Sequence, residues 1–114
     1  MNMDAKETLK SFFGYDSFKP GQEDIIRAIL SGEDALAIMP TGAGKSICYQ
    51  MPALLLPGIT IVISPLISLM QDQVKVLNEA GIHAGYVNSS LTETQIAKVY
   101  ANASVGTYKI LYVA

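Results

Sequence analysis

The sequence predicts an α/β fold with a parallel sheet, entered through two helices. Three observations carry this reading. Short, largely apolar runs recur at 35–39, 59–63, 83–87 and 108–113. Stretches with apolar residues at helical spacing lie between them, and such alternation marks strands joined by helical crossovers. A glycine-rich loop, PTGAGKS, links the first run to the next helical stretch.

Taken in order, Asp4 and Glu7 have capping-box spacing ahead of a stripe made by Leu9, Phe12 and Phe13, and Gly14 ends that helix. Pro20-Gly21 opens a second helix with Ile25, Ile26, Ile29 and Leu30 on one face, closed by Gly32. Residues 35–39, between Asp34 and Pro40, read as a buried strand. A helix starts near Lys45, and residues 59–63 form a second strand. Ser64 is placed as an N-cap with Pro65 at the first helical position. Leu66, Leu69, Met70, Val74 and Leu77 follow at helical spacing up to Gly81. Residues 83–87 form a third strand, Ser90 with Glu93 caps a helix to about residue 103, and residues 108–113 form a fourth strand.

Half of the 114 residues are hydrophobic and 16% are charged, a balance that excludes intrinsic disorder. The net charge of −2 excludes a basic carpet for nucleic acid or an anionic membrane. Nucleic-acid contact must then run through backbone amides and a few side chains. One cysteine, Cys48, forms no internal disulfide and suits a reducing, cytoplasmic setting. No secretory leader is recognisable, and Pro52, Pro57, Gly58 and Pro65 break the most apolar stretch, so no membrane association is expected. The chain reads as one unit.

The chemistry concentrates in residues 35–50, ALAIMPTGAGKSICYQ: strand, glycine loop, Lys-Ser, helix. This is the setting of a phosphate-binding loop. Gly42 and Gly44 let the backbone turn sharply and approach an anion. The amides from Gly42 through Ala43 to Ser46, beside Thr41, would form an anion nest at a helix N-terminus. Lys45 supplies charge to the β- and γ-phosphates, and the Ser46 hydroxyl ligates Mg²⁺. Met39 stands where the usual motif has its first glycine. A glycine turn before an exposed lysine would give the same letters, but the flanking α/β pattern argues for the phosphate loop. Cys48 reads as a packed thiol, and His83 as the lone histidine offers no cluster for a metal.

Three segments carry a resemblance. FGYDSFKPGQEDII (13–26), MPTGAGKSICYQMPAL (39–54) and VISPLISLMQDQV (62–74) closely resemble three motifs of RecQ-type superfamily 2 DNA helicases, in that family's order and spacing. The match runs from about residue 9 to residue 114. It implies a RecA-like phosphate-loop domain that uses ATP and Mg²⁺, and it accounts for Met39, since these helicases commonly lack the first glycine. By the same resemblance, residues 1–33 are a helical adenine-recognition region and residues 34–114 a phosphate-loop α/β core. Gln22 reads the adenine edge, because a carboxamide gives and takes one hydrogen bond each with N6 and N7. Tyr15 matches the aromatic that stacks on the base. Lys19 stands where the family usually has arginine, and an ammonium cannot stack or fork as a guanidinium does.

The third segment resembles the motif that contacts single-stranded DNA. Ser64 and the amides after Pro65 would hold a phosphate, Ser68, Gln71 and Gln73 would add hydrogen bonds, and Leu66 would pack on a sugar. A capped amphipathic helix with a polar outer face satisfies the same residues. Asn88, Ser89 and Ser90 sit where α/β sheets present ligands, although turn and cap chemistry also explains them.

Hydrolysis needs an acid at the end of a buried strand. The four expected strands are followed by Pro40, Ser64, Asn88 and Ala114, none of them acidic. The resemblance places the family's Asp-Glu-x-His motif after residue 114. The expectation is therefore an incomplete RecA-like domain, the N-terminal part of the first motor domain. Its parent would be an ATP-dependent 3′-to-5′ DNA helicase that couples ATP hydrolysis to unwinding in recombination and repair. The implied partners are single-stranded or forked DNA and the remainder of the helicase core. The isolated chain would not hydrolyse ATP. Without the strands that carry the acid and the following motif, residues 35–39 would lack sheet neighbours and residues 59–63 would be an exposed edge. Two other functions stay open: a non-catalytic module binding nucleotide or single-stranded DNA, and another phosphate-loop enzyme such as a small kinase. The kinase leaves the Gln22 segment and SPLISLMQDQV unexplained.

Overall fold

The computed structural model describes residues 5–39 and 44–114. The Asp4 cap and the middle of the expected phosphate loop, Thr41, Gly42 and Ala43, lie outside the described residues. Contacts divide the chain into two compact units, Met1–Pro57 and Gly58–Ala114, where the sequence reads as one.

The first unit is helical. Helix α1 (Ala5–Thr8) runs into one π-helical turn, Leu9–Phe13, and stops at Gly14 with φ 76°. Gly14 returns its N–H to the Lys10 carbonyl, a left-handed ending that glycine adopts without side-chain strain. Helix α2 (Gln22–Leu30) follows Gly21, and helix α3 (Ile47–Leu55) follows Ser46. Leu9, Ile26, Ile47 and Met51 form the core, with Ala5, Phe13 and Phe18 packed against it.

The expected strand at 35–39 is not formed. Those residues are in no sheet, and Leu36 and Ile38 are 91% and 90% exposed. The reason lies in the pairing. A strand of a parallel sheet is stabilised by partners on its edges and cover on its faces, and the described residues of this unit contain no strand to pair with. The apolar run is present, but the neighbours that would make it a strand are not.

The second unit is a parallel sheet with helices. Strand β1 (Thr60–Ile63), helix α4 (Ile67–Glu79), strand β2 (Ala84–Val87), helix α5 (Glu93–Ser104) and strand β3 (Ile110–Val113) follow in turn. The sheet order is β1-β3-β2, so the last strand enters between the first two. Ile110 lies opposite both Thr60 and Ala84, and Val113 opposite both Ile63 and Val87. Central β3 buries Ile110, Leu111 and Tyr112. Strand β1 is an edge whose Ile61 and Ile63 are 57% and 82% exposed.

Helix α4 seats Met70, Val74 and Leu77, one stripe at helical spacing. Asn78 ties its end to the sheet, donating to the Ala84 carbonyl at 3.3 Å and accepting from the Ala84 N–H at 3.0 Å. Leu66 and Leu69, expected in that stripe, are exposed instead: Leu66 precedes the helix, which begins at Ile67, and Leu69 falls beside the Met70, Val74 and Leu77 stripe.

Two caps differ from expectation. Ser64 does not cap α4. Its hydroxyl accepts the Leu66 N–H at 3.1 Å, and Ile67 N–H turns back to the Pro65 carbonyl. This tight turn delays the helix and leaves Leu66 as an N-cap without a side-chain hydrogen bond. For α5 the capping box is Thr92 with Gln95, not Ser90 with Glu93. Asn88 is the cause: its side-chain oxygen takes both the N–H and the hydroxyl of Ser90. Thr92, two residues on, is then the residue in extended conformation at the helix start. Among the described residues no helix is long and apolar enough to cross a membrane.

Candidate nucleotide-binding site and DNA-facing edge

The expected adenine reader, Gln22, meets Gly44 of the expected phosphate loop in the first unit. Gln22 opens α2 and is 4% exposed. Its side-chain oxygen accepts the Lys19 N–H at 2.7 Å, and its Nε2 donates to the Gly44 carbonyl at 3.0 Å. The two residues are 22 positions apart in sequence.

Gly44 is a required glycine on two counts. Its φ of +77° is left-handed, and a Cβ there would collide with Gln22 Nε2. The same absent Cβ would stand 3.6 Å from Cδ of Lys19, so the lysine stem lies against the loop as well. Gln22 and Gly44 each stood out in the sequence. Their contact did not, and the positive φ that makes it possible is not written in the residue types.

Lys45 and Ser46 follow Gly44 at the mouth of α3. Lys45 is exposed and its carbonyl accepts the Cys48 N–H. Ser46 is the N-cap, yet its hydroxyl makes no capping hydrogen bond. That hydroxyl is therefore not consumed by the helix, which suits a metal-ligand role. No cluster of His, Cys, Asp or Glu that could hold a metal occurs among the described residues.

A cavity of about 560 Å³ is lined by Lys19, Pro20, Gly21, Ile25 and residues 36–39, next in sequence to Gln22. Tyr15 lies in the turn before α2 and is 55% exposed. Cys48 is a buried thiol directed to the Met39 sulfur at 3.7 Å and the Gly44 carbonyl at 4.0 Å. Burial pushes its pKa above the ordinary thiol value, against a smaller opposing backbone hydrogen bond. A protonated, packed thiol is not a nucleophile.

The second unit gathers the expected DNA contacts at the carboxyl ends of its strands. Ser64 follows β1 and bonds its N–H to the Val113 carbonyl, and Asn88 follows β2. Pro65, Leu66 and Ser68 lie exposed beyond Ser64. The N-terminus of α4 has no side-chain cap there, and uncapped helix amides favour an anion. Gln73 is different: it is half-buried and already engaged within the fold. Gln71 is exposed on the same helix. Asn88 is 4% exposed and organises the Ser89–Ser90 turn, with its Nδ2 near the Met70 sulfur at 3.7 Å.

Comparison with known proteins follows the same lines. A family model described as DEAD/DEAH box helicase matches residues 19–114. The ATP-dependent DNA helicase RecQ of Haemophilus influenzae is 54% identical over 110 residues, covering 96% of this chain and 18% of that protein. The RecQ helicase of Bacillus subtilis is 49% identical over the same length, covering 96% and 19%. The RecQ-like DNA helicase blm-1 of Caenorhabditis elegans is 44% identical over 115 residues, covering 99% and 12%. The chain thus spans a fifth or less of the length of these relatives.

Proposed function

This chain belongs to the DEAD/DEAH box helicase family, and from that premise we propose that it supplies the nucleotide-binding part of a RecQ-type, ATP-dependent DNA helicase. One observation carries the reading: the Gln22 carboxamide sits on Gly44, directly before Lys45 and Ser46. This contact supports a base reader and a phosphate-binding lysine acting at one place.

In this reading adenine enters beside Gln22, against the Lys19–Gly21 turn, and exchanges its N6 and N7 for the partners that the carboxamide now holds. Guanine presents an acceptor at position 6 and is refused. Lys45, exposed at the helix mouth, reaches the β- and γ-phosphates, and the amides of the helix start add their dipole. The Ser46 hydroxyl would hold Mg²⁺, which neutralises phosphate charge when bound. Single-stranded or forked DNA lies along Ser64, Pro65, Leu66 and Ser68, its phosphate at the uncapped start of α4. Movement on DNA is 3′ to 5′, in recombination and repair, in the cytoplasm and together with the rest of a helicase core.

For the chain by itself a second reading is favoured by a specific observation. Strands β1, β2 and β3 are followed by Ser64, Asn88 and Ala114, and none places an acid for the attacking water. The chain then binds nucleotide without turning it over.

Calorimetric titration of the chain with MgATP and MgGTP tests the proposal. ATP should bind and GTP should bind at least tenfold more weakly, the low end of hydrogen-bonded base discrimination at about 1–3 kcal/mol. Equal affinity for the two would remove Gln22 as the reader, and no binding of either would remove the site.

A further inference from the structure

A helix that packs on a sheet normally buries one stripe. Helix α4 does so, but α5 buries none of its residues. Tyr108 stands between α5 and strand β2. Its ring lies over Gly85 of β2, where a Cβ would stand 2.8 Å from the ring atoms Cε1 and Cζ. Asn102 of α5 donates to the Tyr108 hydroxyl at 3.4 Å. A glycine inside a strand is a mark of such close approach. The ring thus spaces α5 from the sheet, and a cavity of about 350 Å³ remains between Val74 of α4, strand β2 and Val99 of α5.

The chemistry of the walls selects the ligand. The floor and sides are apolar or aromatic, including Ala84, Leu91, Val99 and the rings of Tyr86 and Tyr108. The Gln95 side-chain oxygen accepts the Thr92 N–H at 2.8 Å in the α5 capping box, which fixes this carboxamide in the cavity wall. Lys98 is the one cation among the lining residues, and no acid lines the cavity. Lys98 is exposed and takes part in no ion pair among the described residues. The volume is at the small end of ligand pockets, which begin at about 300 Å³. Apolar walls with ring faces fit a flat hydrocarbon framework, and a single cation offsets a single negative charge.

We propose that the cavity between α5 and the sheet is a binding site for a planar aromatic monoanion, an aromatic carboxylate of one or two fused rings. The rings slide between Tyr108 and Val99, and the carboxylate meets the Lys98 ammonium at the mouth. This site is independent of the nucleotide residues.

The test is a titration of the isotope-labelled 114-residue chain with 2-naphthoate, read by amide chemical shifts. Saturable shifts should centre on Gly85, Lys98, Val99, Asn102 and Tyr108. Val99→Trp, which fills the cavity, should weaken binding at least tenfold. Lys98→Met, a change at an exposed position, should weaken 2-naphthoate by about three- to fivefold, as expected for an exposed charge pair. It should leave the neutral 2-naphthalenemethanol unaffected. Shifts that never saturate, shifts centred on other residues, or equal loss for acid and alcohol in Lys98→Met would each overturn the proposal.

Discussion

Gln22 and Gly44 hold one another across 22 residues, through a 3.0 Å hydrogen bond from the carboxamide to the carbonyl. The Gln22 oxygen is bound at the same time by the Lys19 amide, so donor and acceptor are both in use. A base that needs the same two atoms must displace both partners, and one of them is the phosphate loop itself. In the proposed reading, base recognition by Gln22 would therefore be linked to the position of Gly44.

That link is testable through the glycine. Gly44→Ala should destabilise the chain by roughly 1–2 kcal/mol, the cost of a left-handed conformation for a residue with a Cβ, with an added penalty from the collision with Gln22. In a Gln22→Ala background the collision is gone, and the cost should fall by about 0.5 kcal/mol or more. Urea melts of the four proteins give both numbers. An unchanged penalty in the two backgrounds would mean that the residues do not constrain each other.

Lys45→Ala separates chemistry from folding. The side chain is exposed and belongs to no core cluster, so stability should move by less than about 0.5 kcal/mol. In an active helicase carrying this segment, ATP turnover should be abolished, because the charge on the β- and γ-phosphates is lost. DNA-stimulated turnover that survives the change would take Lys45 out of the site.

DNA binding by the chain should be weak and only mildly sensitive to salt. The net charge is −2, and the candidate contacts at Ser64, Leu66 and Ser68 are uncharged. Each neutralised phosphate on a single strand contributes about 0.7 to the slope of log affinity against log salt. A slope shallower than about −2 is expected in fluorescence anisotropy with an oligothymidine. A steep slope with tight binding would reveal a basic face that these residues do not form.

Cys48 should give the chain a stability loss at high pH. Burial raises its folded pKa above the ordinary value, so the folded state holds the thiol proton more firmly than the unfolded state does. The corresponding stability is complete below the ordinary thiol pKa and is lost as pH rises through the raised one. Urea midpoints of the native chain and Cys48→Ala should therefore converge as pH rises from neutral through and above the ordinary thiol range. A constant gap between the two proteins would show that the thiol holds its proton equally firmly in the folded and unfolded states.

What could be read from the sequence follows from which features are local. Strands β1 and β3 are runs of β-branched, aromatic and aliphatic residues, and Gly14, Gly32 and Gly81 each adopt the positive φ that ends a helix. Those properties belong to a few adjacent residues. Residues 35–39 have the same apolar signature, but a strand also requires a partner, and no local pattern states whether one exists. The α5 cap shows a second limit. Ser90-x-x-Glu93 and Thr92-x-x-Gln95 are both capping boxes on paper. The choice was made by Asn88, which holds Ser90 in a turn. At the candidate site the motif residues were visible one by one, while the Gln22–Gly44 hydrogen bond is a product of the fold. The Tyr108–Gly85 contact had a warning in the glycine within a strand.

The exposed apolar surfaces lead to the final prediction. Leu36 and Ile38 stand in an unpaired extended segment, and Ile61 and Ile63 stand on edge strand β1. Parallel sheets are normally covered on both faces, so the exposed Ile61 and Ile63 side chains of β1 are unusual for such a strand. An apolar edge with free backbone groups pairs with any strand that reaches it. The only other strands present at high concentration in a pure sample are those of further copies. The isolated chain should therefore associate, with a mass by size exclusion and light scattering that rises with concentration, and should melt with a broad transition. A charge on the edge opposes such pairing, so Ile63→Lys, at a position 82% exposed, should shift the chain toward monomer with little loss of stability. A monodisperse monomer with a sharp, cooperative melt in the unmodified chain would show that this edge is not an association site.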